Sequence, residues 1–373
     1  MGFVRVKKGE LDVGDAIPWS VYREDGTLLL HKGHEMESQH QVDMLIDVGF
    51  HQEVKADRLE LLLKKKIDDP FVHTEELHLQ LVSLLKNLTL PTPDGAKRLQ
   101  YVVRLLTRLC EEFSDVMIAE VHRMDVKPYS VTHSLHTAIL SGLLAMHSGI
   151  TDTSLQRIVS AALTANLGML DLQDKLENYQ GKLSDEQREK INEHPGMSVE
   201  ILKANVTDDE QWLAMVAQHH ENLDASGYPN KLHAEEIHIG ARIIAIADRY
   251  SAMVSKHVYH KQMRASAVLK LFFQDKGSTL DEELCLKFIH LMGVFPPGSF
   301  VQLVNNESAI VTAHSQNKNQ HWPLVSSYKG MDGHFYISPL KRDTNHSQYK
   351  IKGMIDNEQI PFSNSSIWGY DDL

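Results

Sequence analysis

The sequence has little cysteine. Cys110 and Cys285 are the full complement, and both lie in apolar helical patterns. That argues against a disulfide framework and for two buried thiols in a reducing cytoplasm. Long apolar runs are also missing, since none approaches eighteen uninterrupted residues. No membrane span is therefore expected. The start, Met1-Gly2-Phe3-Val4-Arg5, lacks the apolar stretch of a secretory signal. Positive charge is short as well: 38 Lys and Arg stand against 50 Asp and Glu, a net charge of -12. That balance argues against a nucleic-acid partner gripped mainly through its phosphates. A small anionic ligand stays open, because a metal or an arginine cluster can reverse the field locally. No internal repeat or low-complexity tract stands out. The 373 residues allow two or three domains.

Four parts can be read along the chain. Residues 1–60 form a small module. Within it, Ser20 to Leu30 reads as strand, Asp25-Gly26 turn, strand, and Ser38 caps a short helix that Gly49 ends. His31, His34 and His40 are expected on the polar surface. Residues 61–94 form a helical connector. Leu59, Leu62 and Leu63 at its start, then Leu77, Leu81, Leu84 and Leu85 within it, recur at helical spacing from residue 57 to 90. Pro91 to Gly95 then breaks the pattern. Residues 95–295 are helical almost throughout, with a long helix expected over Ala96–Met124. A second helix begins near Thr132 with His133, Thr137, Leu140 and Leu144 on its inner face. Ser184 to Gln187 is a capping box whose helix should stop at His194-Pro195. Thr207 to Glu210 is a second box, and its helix should deliver His219 and His220. Ile239, Ile243, Ile246, Tyr250 and Met253 form a core-facing stripe. Residues 296–373 change texture into a short β-rich tail.

Candidate chemistry lies in the helical part. His133, His194, His219 and His220, with Asp248, are the residue types that hold divalent metals. A turn-rich segment, Asp224-Ala225-Ser226-Gly227-Tyr228-Pro229, follows the paired histidines. Gly227 permits the turn, Pro229 fixes φ after it, and Tyr228 puts an aromatic hydroxyl at its tip. Arg242 suits phosphate oxygens, or equally a helix-surface salt bridge.

These residues, in this order, resemble the HD-GYP family, bacterial HD phosphohydrolases that cleave cyclic di-GMP. The resemblance covers roughly residues 95–295. It rests on His133-Ser134, His194-Pro195, His219-His220-Glu221, Asp224 to Pro229 with Ala225 where glycine is usual, and Ala241 to Met253 around Asp248. It implies a mainly α fold: an all-helical HD-GYP-like core between a small β-rich N-terminal module and the tail. It also implies a metal centre and contacts of the Gly-Tyr-Pro loop with diguanylate cyclase domains.

The departures from the pattern fall in one window. The family's His-Asp pair is here Ala165-Asn166, and the lysine three residues beyond the aspartate is Met169. In the family that aspartate bridges both metals and the lysine assists the phosphate chemistry. Alanine has no ligand atom, an amide carries no charge, and methionine cannot donate a proton. One ion, iron, manganese or zinc, could stay on His194, His219 and His220. The alternative is that these persist as packed core histidines without metal. His133 and Asp248 alone would be left for a second ion. No catalytic residue is assigned. The expectation is a degenerate cyclic di-GMP signalling protein that binds a nucleotide or protein partner, diguanylate cyclase included. The alternative is a phosphohydrolase with an altered, mononuclear site.

Overall fold

The structure is a computed structural model. It describes residues 3–371 apart from 8–9, 15, 18, 24–26, 32, 53–61, 64, 92–93, 124–126, 178, 180, 256–262 and 316–321. Leu59 and the Asp25-Gly26 turn lie outside the described residues.

The fold is mainly α, with a small sheet at each end. The first sheet has the order β1-β4-β2-β3 and antiparallel pairing. Its strands are β1 (Phe3–Arg5), β2 (Val21–Tyr22), β3 (Leu28–Leu30) and β4 (Phe50–Gln52). Helix α1 (Gln39–Val48) packs Val42 and Leu45 into a small core with Val6, Leu11, Ile17, Val21 and Met36. Ser38 caps it by accepting from Gln41 N. His31, His34 and His40 are exposed.

The helical unit starts earlier in the chain than its motifs. Helix α2 (Pro70–Leu88) places Leu77, Leu81, Leu84 and Leu85 in one continuous core with the helices that follow. Helix α3 (Gly95–Glu112) and helix α4 (Ser114–Val121) replace the single expected helix over Ala96–Met124. Phe113 leaves helical backbone, at φ -137 and ψ 46, and its ring meets Tyr370 of the tail edge-on. Helix α5 (Tyr129–His147) is buried on every side through Ala145, which places it at the centre of the bundle. Helix α6 (Asp152–Thr164), a short 3-10 turn (Leu167–Met169) and helix α7 (Leu170–Glu177) follow.

Helix α8 (Asp185–Asn205) carries the expected capping box at Ser184 but does not stop at His194-Pro195. Pro195 removes one backbone donor, so the carbonyl of Ile191 loses its helical partner. The His194 ring takes that carbonyl, with Nδ1 at 2.5 Å, and the helix continues. Helix α9 (Glu210–Gln218) is capped by Asp209, which accepts from Gln211 N and Trp212 N. Thr207, the expected cap, instead accepts from Asp209 N. Helix α10 (Ile239–Val254) buries Ile243, Ile246 and Tyr250, while Ile239 at the head of the stripe is exposed. Helices α11 (Ala265–Asp275) and α12 (Glu282–Met292) close the unit. Cys110 and Cys285 are buried free thiols.

The tail is a five-stranded antiparallel sheet of order β8-β7-β6-β5-β9. Its strands are β5 (Phe300–Leu303), β6 (Ser308–Ala313), β7 (Leu324–Lys329), β8 (Phe335–Asp343) and β9 (Ile351–Met354), followed by helix α13 (Asn364–Trp368). The tail docks on the helical unit. Ser365 Oγ donates to Asp69 at 2.5 Å, Trp368 meets Phe71 edge-on, and His314 Nδ1 binds Asp115. Burial lowers the His314 pKa, but the hydrogen bond and charge of Asp115 outweigh it and hold the pKa above its usual value. A raised folded pKa means stability present below the unfolded value near ~6.5 and lost as pH rises through the folded one. Thermal melts from mild acid to mild alkali should therefore show a loss of stability through that window, and His314→Gln should remove that component. A variant with the same pH profile would refute the assignment.

Candidate metal centre and Gly-Tyr-Pro loop

Two helix irregularities aim two imidazoles at one point. His194 Nδ1 donates to the carbonyl freed by Pro195. His219, at the C-cap of α9, donates from Nδ1 to Val216 O at 2.7 Å, a carbonyl left open where the helix ends. Each carbonyl fixes the proton on Nδ1 and leaves the Nε2 lone pair pointing inward. The two Nε2 atoms lie 3.2 Å apart. Two lone pairs facing each other at that distance repel. Two nitrogens bound ~2.1 Å from one tetrahedral ion are separated by roughly 3.4 Å. His220 completes the group: one ring nitrogen from each of the three histidines falls within 4.8 Å of the others. The donor set and its spacing therefore fit a single divalent ion.

Charge agrees with that fit. Burial, with His219 beside it, pushes the His194 pKa down to about 3. Burial likewise lowers His219, and burial with His219 lowers His220 well below the usual value. All three are therefore neutral at pH 7, the form a metal binds.

His133 and Asp248 are not in this group. His133 Nε2 donates to Asp248 Oδ1 at 2.7 Å, and its Nδ1 lies within hydrogen-bond distance of the Tyr129 and Ser251 hydroxyls, each at 3.3 Å. Burial raises the Asp248 pKa, but the charge and hydrogen bond of His133, with His220 and His219 nearby, hold it well below the carboxylate range. His133 is thus a partner of Asp248, which lies close to the three imidazoles.

The divergent window sits against the same helix. Ala165 O accepts from Ser198 Oγ at 2.8 Å, and Gly168 N donates to that oxygen at 2.9 Å. A Cβ at Gly168 would lie 2.7 Å from His194 O. Residues 165–168 are therefore pressed onto the turn that carries His194. Asn166 is buried there, and its Oδ1 has no hydrogen-bond partner among the described residues.

The Gly-Tyr-Pro loop folds inward. Tyr228 stacks on His220, with centroids 4.7 Å apart and planes at 24°, instead of standing at an exposed tip. Gly227 is needed for close approach: a Cβ there would lie 2.4 Å from Asn222 N and 2.6 Å from His220 O. Buried Glu221, which sequence reasoning passed over, braces the loop by accepting from Asn230 N at 2.6 Å and Leu232 N at 3.1 Å. Asp224 accepts from Ser226 N and Oγ, and it and Pro229 are exposed. Ala225 has φ 61. A left-handed alanine costs about 1–2 kcal/mol, partly offset by the greater unfolded entropy of glycine. Ala225→Gly should therefore stabilise by about 0.5–1 kcal/mol in urea unfolding; a loss of stability would contradict the strain.

Arg242 forms the salt bridge that was one of its two expected roles. Its guanidinium binds Asp281 at 3.0 Å, Ile237 O at 3.1 Å and Ala234 O. With those donors committed, Arg242→Ala should lower stability by about 1–3 kcal/mol and leave nucleotide affinity unchanged. A large affinity loss in an otherwise folded variant would restore the phosphate role.

The HD domain family matches residues 120–284. Cyclic di-GMP phosphodiesterase PdeB of Borreliella burgdorferi is 29% identical over 51% of this chain and 50% of its own. A cyclic di-GMP phosphodiesterase of Thermotoga maritima is 28% identical over 59% of this chain and 63% of its own. Cyclic di-GMP phosphodiesterase PA4108 of Pseudomonas aeruginosa is 28% identical over 49% of this chain and 44% of its own. The chain thus spans half or less of the length of the first of these relatives. Among solved structures, Bd1817, an HD-GYP protein of Bdellovibrio bacteriovorus, superposes with a TM-score of 0.53 at 15% identity, covering 77% of this chain and 98% of that one. At that identity the likeness bears on the fold alone. Among the described residues no helix is long and apolar enough to cross a membrane. Residues 120–284 carry the HD domain match, and the helical unit that holds the three histidines is similar in sequence to these cyclic di-GMP phosphodiesterases.

Proposed function

We propose that this chain is a degenerate HD-GYP protein of bacterial cyclic di-GMP signalling, which binds a nucleotide or a protein partner and does not hydrolyse the dinucleotide. One observation carries the reading: a buried, neutral Asn166 stands where the family has its bridging carboxylate. Ala165 and Met169 beside it supply neither a ligand atom nor a cation. The three imidazoles fit one ion, which we take to be iron, manganese or zinc. A bound divalent ion supplies Lewis acidity and charge to a phosphate oxygen. His194 and His219 hold the ligand nitrogens in place, His133 fixes the Asp248 carboxylate, and Tyr228 covers His220. The exposed Asp224 and Pro229 of the loop are the surface offered to a diguanylate cyclase or other signalling protein.

The test is direct. Protein loaded with iron or manganese under reducing conditions should give no linear product from cyclic di-GMP. Saturating cyclic di-GMP should still raise its melting temperature, since ligand at 100 times Kd adds about 2.7 kcal/mol. Turnover that His219→Ala abolishes would overturn the reading.

A second reading rests on the buried Asn166 oxygen, which has no hydrogen-bond partner among the described residues and sits in the segment pressed onto the turn of His194. An amide oxygen as outer ligand would give a mononuclear phosphohydrolase for another phosphate ester. One tightly held ion per chain together with turnover of an aryl phosphate ester would favour it over the first.

A further inference from the structure

A cleft of about 500 Å³ lies between the N-terminal module and the helical unit. None of its lining residues belongs to the histidine group. The module contributes Lys7 and Trp19, α2 contributes Lys86, and the segment after Asn166 contributes Met169 and Lys175, with Lys190 from α8. Four lysines thus face one opening in a chain whose net charge is -12. Three carboxylates share the wall: Glu10, Asp12 and Asp171. Glu10 is already engaged, accepting from Lys7 N at 2.9 Å and facing His51 at 3.6 Å. Among the described residues Lys190 makes an exposed pair with Glu186, which is worth little.

The aromatic wall adds an independent signal. Trp19 stacks at a tilt on His51, with centroids 4.5 Å apart. Its indole Nε1 is buried and has no acceptor among the described residues. An indole ring and four lysines lining one cleft suit a planar base carrying a phosphate. The volume falls in the range of small-molecule sites, roughly 300–1,000 Å³.

We propose that this cleft binds a nucleoside monophosphate, with the phosphate against Lys175 and Lys190 and the base against Trp19. None of the three histidines lines the cleft, although Met169 of the divergent window does. GMP is the probe, with inorganic phosphate as the control for the anion alone. GMP should quench Trp19 fluorescence saturably in the full-length protein, and Trp19→Phe should abolish that change. Lys175→Glu with Lys190→Glu should weaken GMP at least tenfold, as should Lys7→Glu from the other wall. All three side chains are exposed, so circular dichroism should be unchanged. His219→Ala should leave GMP affinity as it was. The proposal fails if GMP shows no saturable binding up to about 1 mM, or if charge reversal leaves affinity intact. It fails equally if His219→Ala abolishes binding, or if inorganic phosphate binds as tightly as GMP.

Discussion

Restoring three side chains together, Ala165→His, Asn166→Asp and Met169→Lys, is expected to raise the bound metal from one ion per chain towards two and to create cyclic di-GMP hydrolysis. Charge and donor count set this outcome. Two divalent ions about 3.5–4 Å apart repel strongly unless an anionic ligand lies between them. Asn166 presents a neutral oxygen, and Ala165 presents nothing. The scaffold around them is otherwise in place: Ser198 anchors Ala165 and Gly168, and Gly168 leaves no room between this segment and His194. If the second ion and its bridge contribute about 4 kcal/mol of transition-state stabilisation, the gain is about a thousandfold. Elemental analysis and product assay on the same samples decide it. Asn166→Asp alone should recover the bridge but not the histidine or the cation, so it should recover only part of the gain. A triple variant that holds two ions and still does nothing would place the defect elsewhere. A wild-type protein that already holds two ions would remove the premise.

Much of this site was legible in the sequence because its signals are local. The capping box at Ser184, the 4-3 apolar spacing of α10 and the adjacent histidines each depend on neighbours within a few residues. The parts that were not legible depend on contacts made elsewhere. Pro195 should end a helix by its own chemistry, yet the His194 ring supplies the missing donor and the helix runs on. Phe113 splits an apparently continuous helix, and its ring meets Tyr370, far along the chain. Tyr228 looks like a loop tip until it folds onto His220. Gly227 looks like a residue chosen for its φ, whereas the reason is the backbone of 220–222 packed against it. The helix over Pro70–Leu88 looks like a connector because the break at Pro91 to Gly95 is strong, although its leucines enter the main core. Arg242 could not be assigned from sequence, because Asp281 lies almost forty residues away.

His133→Ala should be the most destabilising single change at the site, even in metal-free protein. The Asp248 carboxylate is buried, and its 2.7 Å donor is His133 Nε2. Removing the ring leaves the carboxylate desolvated and also takes the ring partner from the Tyr129 and Ser251 hydroxyls. Breaking one half of a buried pair of this kind costs about 3–5 kcal/mol. For a unit of this size that is a fall of roughly 6–20 °C in melting temperature. Asp248→Asn keeps an acceptor for Nε2 and removes the buried charge, so it should cost less. The sign with pH follows from Asp248. Its folded pKa is depressed, so its contribution is full above the unfolded value near ~3.9 and is lost as pH falls through the folded one. Without His133, burial is left to raise that pKa instead. The gap between the two proteins should therefore be widest at neutral pH and narrow in acid. Melts in chelator across that range would test the pair directly, and a constant gap would mean that the loss is packing and not charge.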